Sequence, residues 1–145
     1  MRTYQLYLIE DEFASHYFGR ERILFNLFYE FQKSYGEMKS ILSDQINYVT
    51  KPISQLKLQQ QLQFSLKRKM GFTEKNHTFF IINEKMSTAK LTIFERYLKL
   101  ESNGYYDAET IFFEVLRKLE PSFLAIDLTH YRFGWLKPIK ERNLV

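Results

Sequence analysis

Cysteine is absent from this chain of 145 residues, which removes disulfides, thiolate metal sites, iron–sulfur clusters and cysteine nucleophiles together. A reducing compartment fits such a composition. No stretch approaches the roughly 18 uninterrupted apolar residues of a membrane span. The opening Met1-Arg2-Thr3-Tyr4 runs into a strand-like alternation, without the apolar run and small-residue cleavage site of a signal peptide. A cytoplasmic protein without membrane contact is expected. Histidine is scarce, and His16, His77 and His130 lie too far apart in sequence to pair as neighbouring ligands, so no zinc or iron site is predicted. The five glycines, at 19, 36, 71, 104 and 134, stand alone, which excludes a glycine-rich phosphate loop. No serine sits in a Gly-x-Ser-x-Gly elbow.

What the chain does have is apolar and aromatic surface. Residues of these kinds make up 45% and 17% of it, with 14 Phe and 10 Tyr, enough to build one core in a chain too short for two ordinary domains. A single domain over residues 1–145 is expected. The formal charge is +4, with the two signs mostly interspersed. Such a balance permits a nucleic-acid or an acidic protein partner without choosing between them.

Patterning sets the order of elements. A strand is predicted over 4–9, ending in the acidic run Glu10-Asp11-Glu12, which suits a helix N-terminus. A short helix follows over 13–18, broken at Gly19. From 20 to 34 the residues Ile23, Leu24, Leu27, Phe28 and Phe31 share one helical face, and Met38, Ile41, Leu42, Ile46 and Val49 repeat the spacing until Pro52 ends the run. Leu56, Leu58, Leu62, Phe64 and Leu66 alternate with polar residues and argue for a long one-sided strand. Leu58, Leu62 and Leu66 also fit a helix, and the glutamines between them prefer one. Short strands are expected over 78–83, 90–94 and 98–102, a helix over 108–119 with Asp107 as its cap and Pro121 beyond it, then a hairpin over 123–128 and 131–136. A basic tail follows from Lys137. Strands and helices come in blocks, so the fold class is α+β: a mostly antiparallel or mixed sheet with helices packed on it.

Chemistry is thinly represented. Glu10, Asp11 and Glu12 read more simply as an acidic helix start than as acid/base residues. Asp127, an acid on an apolar strand, is the carboxylate to watch, with a hydrogen-bonded structural role as its default. Lys67-Arg68-Lys69 and the tail are the basic clusters, and the alternative function they suggest is DNA binding. The small net charge favours a solvated loop and tail instead, so direct DNA contact is not the expectation. Phe13 and Tyr17 are four apart and project side by side from a helix, with Ala14 and Phe18 on the neighbouring stripe. If Ala14 and Phe18 face the core, Phe13 and Tyr17 form an exposed aromatic pair of the kind that anchors interfaces. Patterning alone leaves open the alternative that all four are core.

Three stretches resemble one family: 7–21 (YLIEDEFASHYFGRE), 108–118 (AETIFFEVLRK) and 134–143 (GWLKPIKERN). They are similar to the sporulation inhibitor of replication family, SirA, collinearly over nearly the whole chain, with 52–90 the loosest part. The resemblance implies an inhibitor made as cells enter sporulation, which binds the N-terminal domain of the replication initiator DnaA. It implies no enzyme activity, no cofactor and no small-molecule substrate. It also implies partner-binding roles for Phe13 and Tyr17, and for Asn47, where the family pattern carries the longer Gln. Ser40 and Asp44 share the helical face of Asn47 and would extend the same polar rim.

Overall fold

The computed structural model describes residues 1–83 and 86–137. Its elements run β1 (Arg2–Leu8), α1 (Asp11–His16), α2 (Glu21–Lys33), α3 (Gly36–Val49), α4 (Gln55–Leu66), β2 (Phe72–Lys75) and β3 (Thr78–Asn83). The second half continues β4 (Ser87–Ile93), β5 (Leu98–Gly104), α5 (Asp107–Leu119), β6 (Phe123–Asp127) and β7 (Arg132–Trp135). Among the described residues the strands form one sheet in the order β2-β3-β4-β5-β1-β6-β7, every adjacent pair antiparallel. The fold class is α+β, as the blocks of strands and helices predicted. The basic tail beyond Lys137 lies outside the described residues.

Side chains on a strand alternate between faces, and β1 is apolar on both. Leu6 and Leu8 join the core under α4 and α5, while Tyr7 and Ile9 join the one under α1, α2 and α3. The first core runs along the sheet through Phe79, Ile81, Leu91, Leu98 and Leu100, and α5 enters it with Ala108, Phe112 and Leu116. The second is confined to the β1, β6 and β7 end, where Leu124 and Ile126 meet Leu24, Phe25 and Phe28.

Local polar groups fix the helices to this frame. Asp107 makes no side-chain cap on α5; instead Ser87 Oγ of β4 accepts from Ala108 N at 2.7 Å. One residue on, the buried carboxylate of Glu109 accepts from Arg2 Nε at 2.6 Å and Ser102 Oγ at 2.7 Å, tying α5 to β1 and β5. A buried charge needs such partners, since an unpaired one is strongly destabilising. Gly104 ends β5 at φ +79°, and a Cβ there would sit 2.0 Å from Met86 O, so glycine is required.

The structure corrects the sequence reading at residues 56–66, where a helix stands in place of the expected strand. Leu58, Leu62 and Leu66 recur every fourth position and are buried. Each gains about 1.5–3 kcal/mol from burial, and the intervening glutamines favour the helix as well. The apparent alternation came from Leu56 and Phe64, which are apolar but exposed on the far side of α4. A second correction is β2, an edge strand that short polar-rich residues 72–75 did not announce. In α2 the buried stripe is Leu24, Phe25 and Phe28, rotated from the expected one, so that Ile23 is exposed.

Because positions 62 and 64 share parity, a strand would bury both, whereas α4 buries one. Leu62→Ala is expected to lower the unfolding free energy by about 2–5 kcal/mol. Phe64→Ala should change it by about 0.5 kcal/mol or less, both read from urea titrations.

Candidate functional site

The rotated stripe of α2 leaves apolar side chains that the sheet does not cover. Ile23 and Leu27 face Leu42, Gln45 and Val49 of α3 across an open cleft of about 720 Å³, and α1 closes one end with Phe13 and Tyr17. Asn26, Glu30 and Asp44 supply its polar rim. The lining is mostly apolar with a few convergent polar groups, the composition of binding sites in general.

Each wall is positioned by identifiable bonds. Where β1 ends, Glu10 N donates to Val49 O at 2.9 Å, Lys51 N donates to Leu8 O at 2.7 Å, and Ile9 pairs with Thr50 as an antiparallel bridge. The start of α1 and the end of α3 are thereby sewn to one strand. Arg96, in the β4–β5 connection, donates from Nη2 to Asn47 O at 3.0 Å and to Thr50 O at 3.2 Å, a cation on the exposed carbonyls of a helix C-terminus. The α1–α2 turn is held by Gly19 N donating to Glu21 Oε2 at 2.8 Å and by Arg20 Nη2 donating to His16 O at 2.7 Å. Gly19 itself has φ +78°, which favours glycine.

Phe13 and Tyr17 therefore meet at one cleft. Both are half-buried, neither core nor free: Ala14 is the α1 residue that enters the core, and Phe18 is exposed rather than buried beside it. Tyr17 lies just past the helix, its N–H donating to Phe13 O. Tyr48 is a residue that sequence reasoning missed. It stands edge-on to the Phe13 ring with centroids 5.2 Å apart, and it is 73% exposed, the most open aromatic of the cleft. Its signal was available, since Tyr48 lies one helical turn from Asp44 and Gln45 on the same face. Asn47 is exposed on α3 and does not line the cleft; it occupies the flank beyond Asp44.

Asp127 takes the structural role. Its Oδ1 accepts from Thr129 N at 3.2 Å and His130 N at 3.1 Å, and its Oδ2 is 2.9 Å from both Arg132 Nη2 and His130 Nδ1. Every acceptor site is engaged in closing the β6–β7 hairpin. Burial pushes this carboxyl up, but the hydrogen bonds from Arg132 and His130 outweigh burial and hold it below the usual aspartate value. Among the described residues no three His, Asp or Glu side chains converge as a metal site, and no helix is long and apolar enough to cross a membrane.

A seven-stranded antiparallel sheet carrying an aromatic-edged, apolar cleft on a helical hairpin defines a small α+β module with one open apolar cleft on its surface. The model of the family described as sporulation inhibitor of replication protein SirA matches residues 2–140. The sporulation inhibitor of replication protein SirA of Bacillus subtilis (strain 168) is 42% identical over 147 residues, covering 99% of each chain. The chain belongs to the SirA family, which is named for inhibition rather than for a reaction.

Removing the clamp on α3 with Arg96→Ala should cost about 1–3 kcal/mol in urea unfolding, because the C-terminal carbonyls of α3 lose a charged donor. For Asp127 the folded pKa is depressed, so its contribution is present above the unfolded aspartate value of about 3.9 and is lost as pH falls through the folded value. Asp127→Asn is expected to lower stability at pH 7 and to flatten the loss of stability on acidification, measured as urea midpoints from pH 7 down to pH 2.

Proposed function

We propose that the protein inhibits initiation of DNA replication as cells enter sporulation, by binding the N-terminal domain of the initiator DnaA through the aromatic edge of the α1–α3 cleft. Phe13 and Tyr17 act as anchors, Tyr48 extends the aromatic edge, and Asn47 adds a polar contact on the outer flank of α3. The observation that carries this reading is that Phe13 and Tyr17 both border one open apolar cleft. Family membership supports the inhibitory role.

The mechanism is occupancy. An apolar side chain of the partner fills the cleft between Leu27 and Leu42, and donors around it meet Glu30, Asp44 and Gln45. Contacts that the initiator needs for assembly at the origin are then covered. No bond is made or broken, so affinity alone sets potency. Aromatic anchors in desolvated pockets dominate such interfaces because burying a rigid ring gains much apolar area for little lost freedom.

Isothermal titration of the protein into the purified N-terminal domain of DnaA from the same organism tests the proposal. Saturable binding is expected, and Phe13→Ala or Tyr17→Ala should each weaken it by roughly 30-fold to 1,000-fold, about 2–4 kcal/mol. Unchanged binding by both variants, with the fold intact by circular dichroism, would move the interface elsewhere.

A further inference from the structure

Helix α4 is apolar on two faces and has a partner on one. Leu58, Leu62 and Leu66 pack under the sheet, yet Leu56 is 68% exposed and Phe64 74% exposed on the side turned outward. Leu56, Gln60 and Phe64 are spaced by four, so they form one stripe about 12 Å long on the helix surface. The following turn continues it with Met70, 91% exposed.

The charge carried by α4 and the turn after it has one sign, and Glu120 meets α4 on the Lys57 and Gln61 flank. Lys57, Lys67, Arg68 and Lys69 are all exposed, and the sequence from Gln55 to Phe72 contains no Asp or Glu. Lys67 Nζ lies 4.7 Å from the centroid of the Phe64 ring, so cation and ring make one surface. The nearest acid along the chain, Glu74, is already held by the amides of Gln59 and Gln63 at 2.7–2.9 Å. It therefore lies to the side of the stripe, engaged with the glutamines.

We infer that the outer face of α4 is a second docking surface, which receives an acidic amphipathic helix of another protein. Two apolar knobs two turns apart are the spacing that a facing helix reads with its own i and i+7 or i+8 positions. The basic turn at the C-terminal end calls for carboxylates opposite it. A second copy of the chain fits badly, because antiparallel pairing about Gln60 sets Lys67 to Lys69 against the other copy's Lys51 to Ile53, which include no carboxylate, and parallel pairing stacks the basic turns. A lipid surface would have to bury Gln60 in the middle of the stripe. Duplex DNA offers phosphates to the cations and nothing to Leu56 or Phe64. This surface lies on the face of the sheet opposite the α1–α3 cleft, so both could be occupied at once.

Fluorescence anisotropy of the full chain tests it, with a labelled synthetic helical peptide of about five turns carrying leucines every fourth residue and flanking glutamates. Saturable binding is expected, weakened about tenfold or more by Leu56→Ser/Phe64→Ser, by Lys67→Glu/Arg68→Glu and by scrambling the peptide at constant composition. The Phe13→Ala/Tyr17→Ala variant should bind this peptide like the unmodified chain, which separates the surface from the cleft. No saturation, or equal affinity for the scrambled peptide, would overturn the inference. Tighter binding to duplex DNA or to phosphatidylglycerol vesicles, or dimerisation in sedimentation that Leu56→Ser/Phe64→Ser abolishes, would also overturn it.

Discussion

Both faces of β1 are covered, and the arrangement of the molecule follows from that. Leu6 and Ile9 are completely buried on opposite sides of the same strand, so each side demands its own layer of helices. The strand also ends at a junction: Ile9 N donates to Ser122 O, Glu10 N to Val49 O, and Lys51 N donates back to Leu8 O. Three backbone segments that are distant in sequence converge within three residues. Backbone groups buried at such a point must find partners, and the partners they find set where α1 and α3 stand. The cleft between them is a consequence of that stitching.

Uneven coverage of the sheet accounts for the rest of the site. Helices α4 and α5 lie along one face, while α1, α2 and α3 crowd the other face only at the β1, β6 and β7 end. Helix α2 carries more apolar surface than that end of the sheet can take. Leu24, Phe25 and Phe28 go inward, and Phe25 stacks on Phe133 at 5.2 Å, leaving Ile23 and Leu27 to face α3. A protein that needs only to fold gains nothing from an apolar stripe wider than its core. Excess apolar width on a helix is thus the common physical sign of both surfaces singled out above, the cleft on one face of the sheet and the α4 stripe on the other.

Much of this was legible in the chain. Strand β1, helices α2, α3 and α5, and the β6–β7 hairpin follow from periodicity and from punctuation by Gly19, Gly36, Pro52 and Pro121. Helix α4 was misread because periodicity reports apolar residues without saying which are buried. Leu56 and Phe64 fell between the turns of the Leu58, Leu62 and Leu66 repeat and imitated a period of two. Strand β2 was silent because an edge strand of four residues with half-exposed side chains carries little apolar signal. In the site, Phe13 and Tyr17 could be paired from their spacing, whereas their meeting with Tyr48 depends on a junction between segments about 35 residues apart.

By itself the sequence determined the fold class, the order of most elements and the family, because these rest on composition, local period and collinear motifs. Tertiary structure alone decided which apolar face of each helix is covered, and so where open apolar surface remains. It decided that Asp127 closes a turn, and that Asn47 stands outside the cleft that Phe13 and Tyr17 border. The physical reason is the same in each case: burial is a relation between segments, and a local pattern can state what is available to be buried without stating what will cover it.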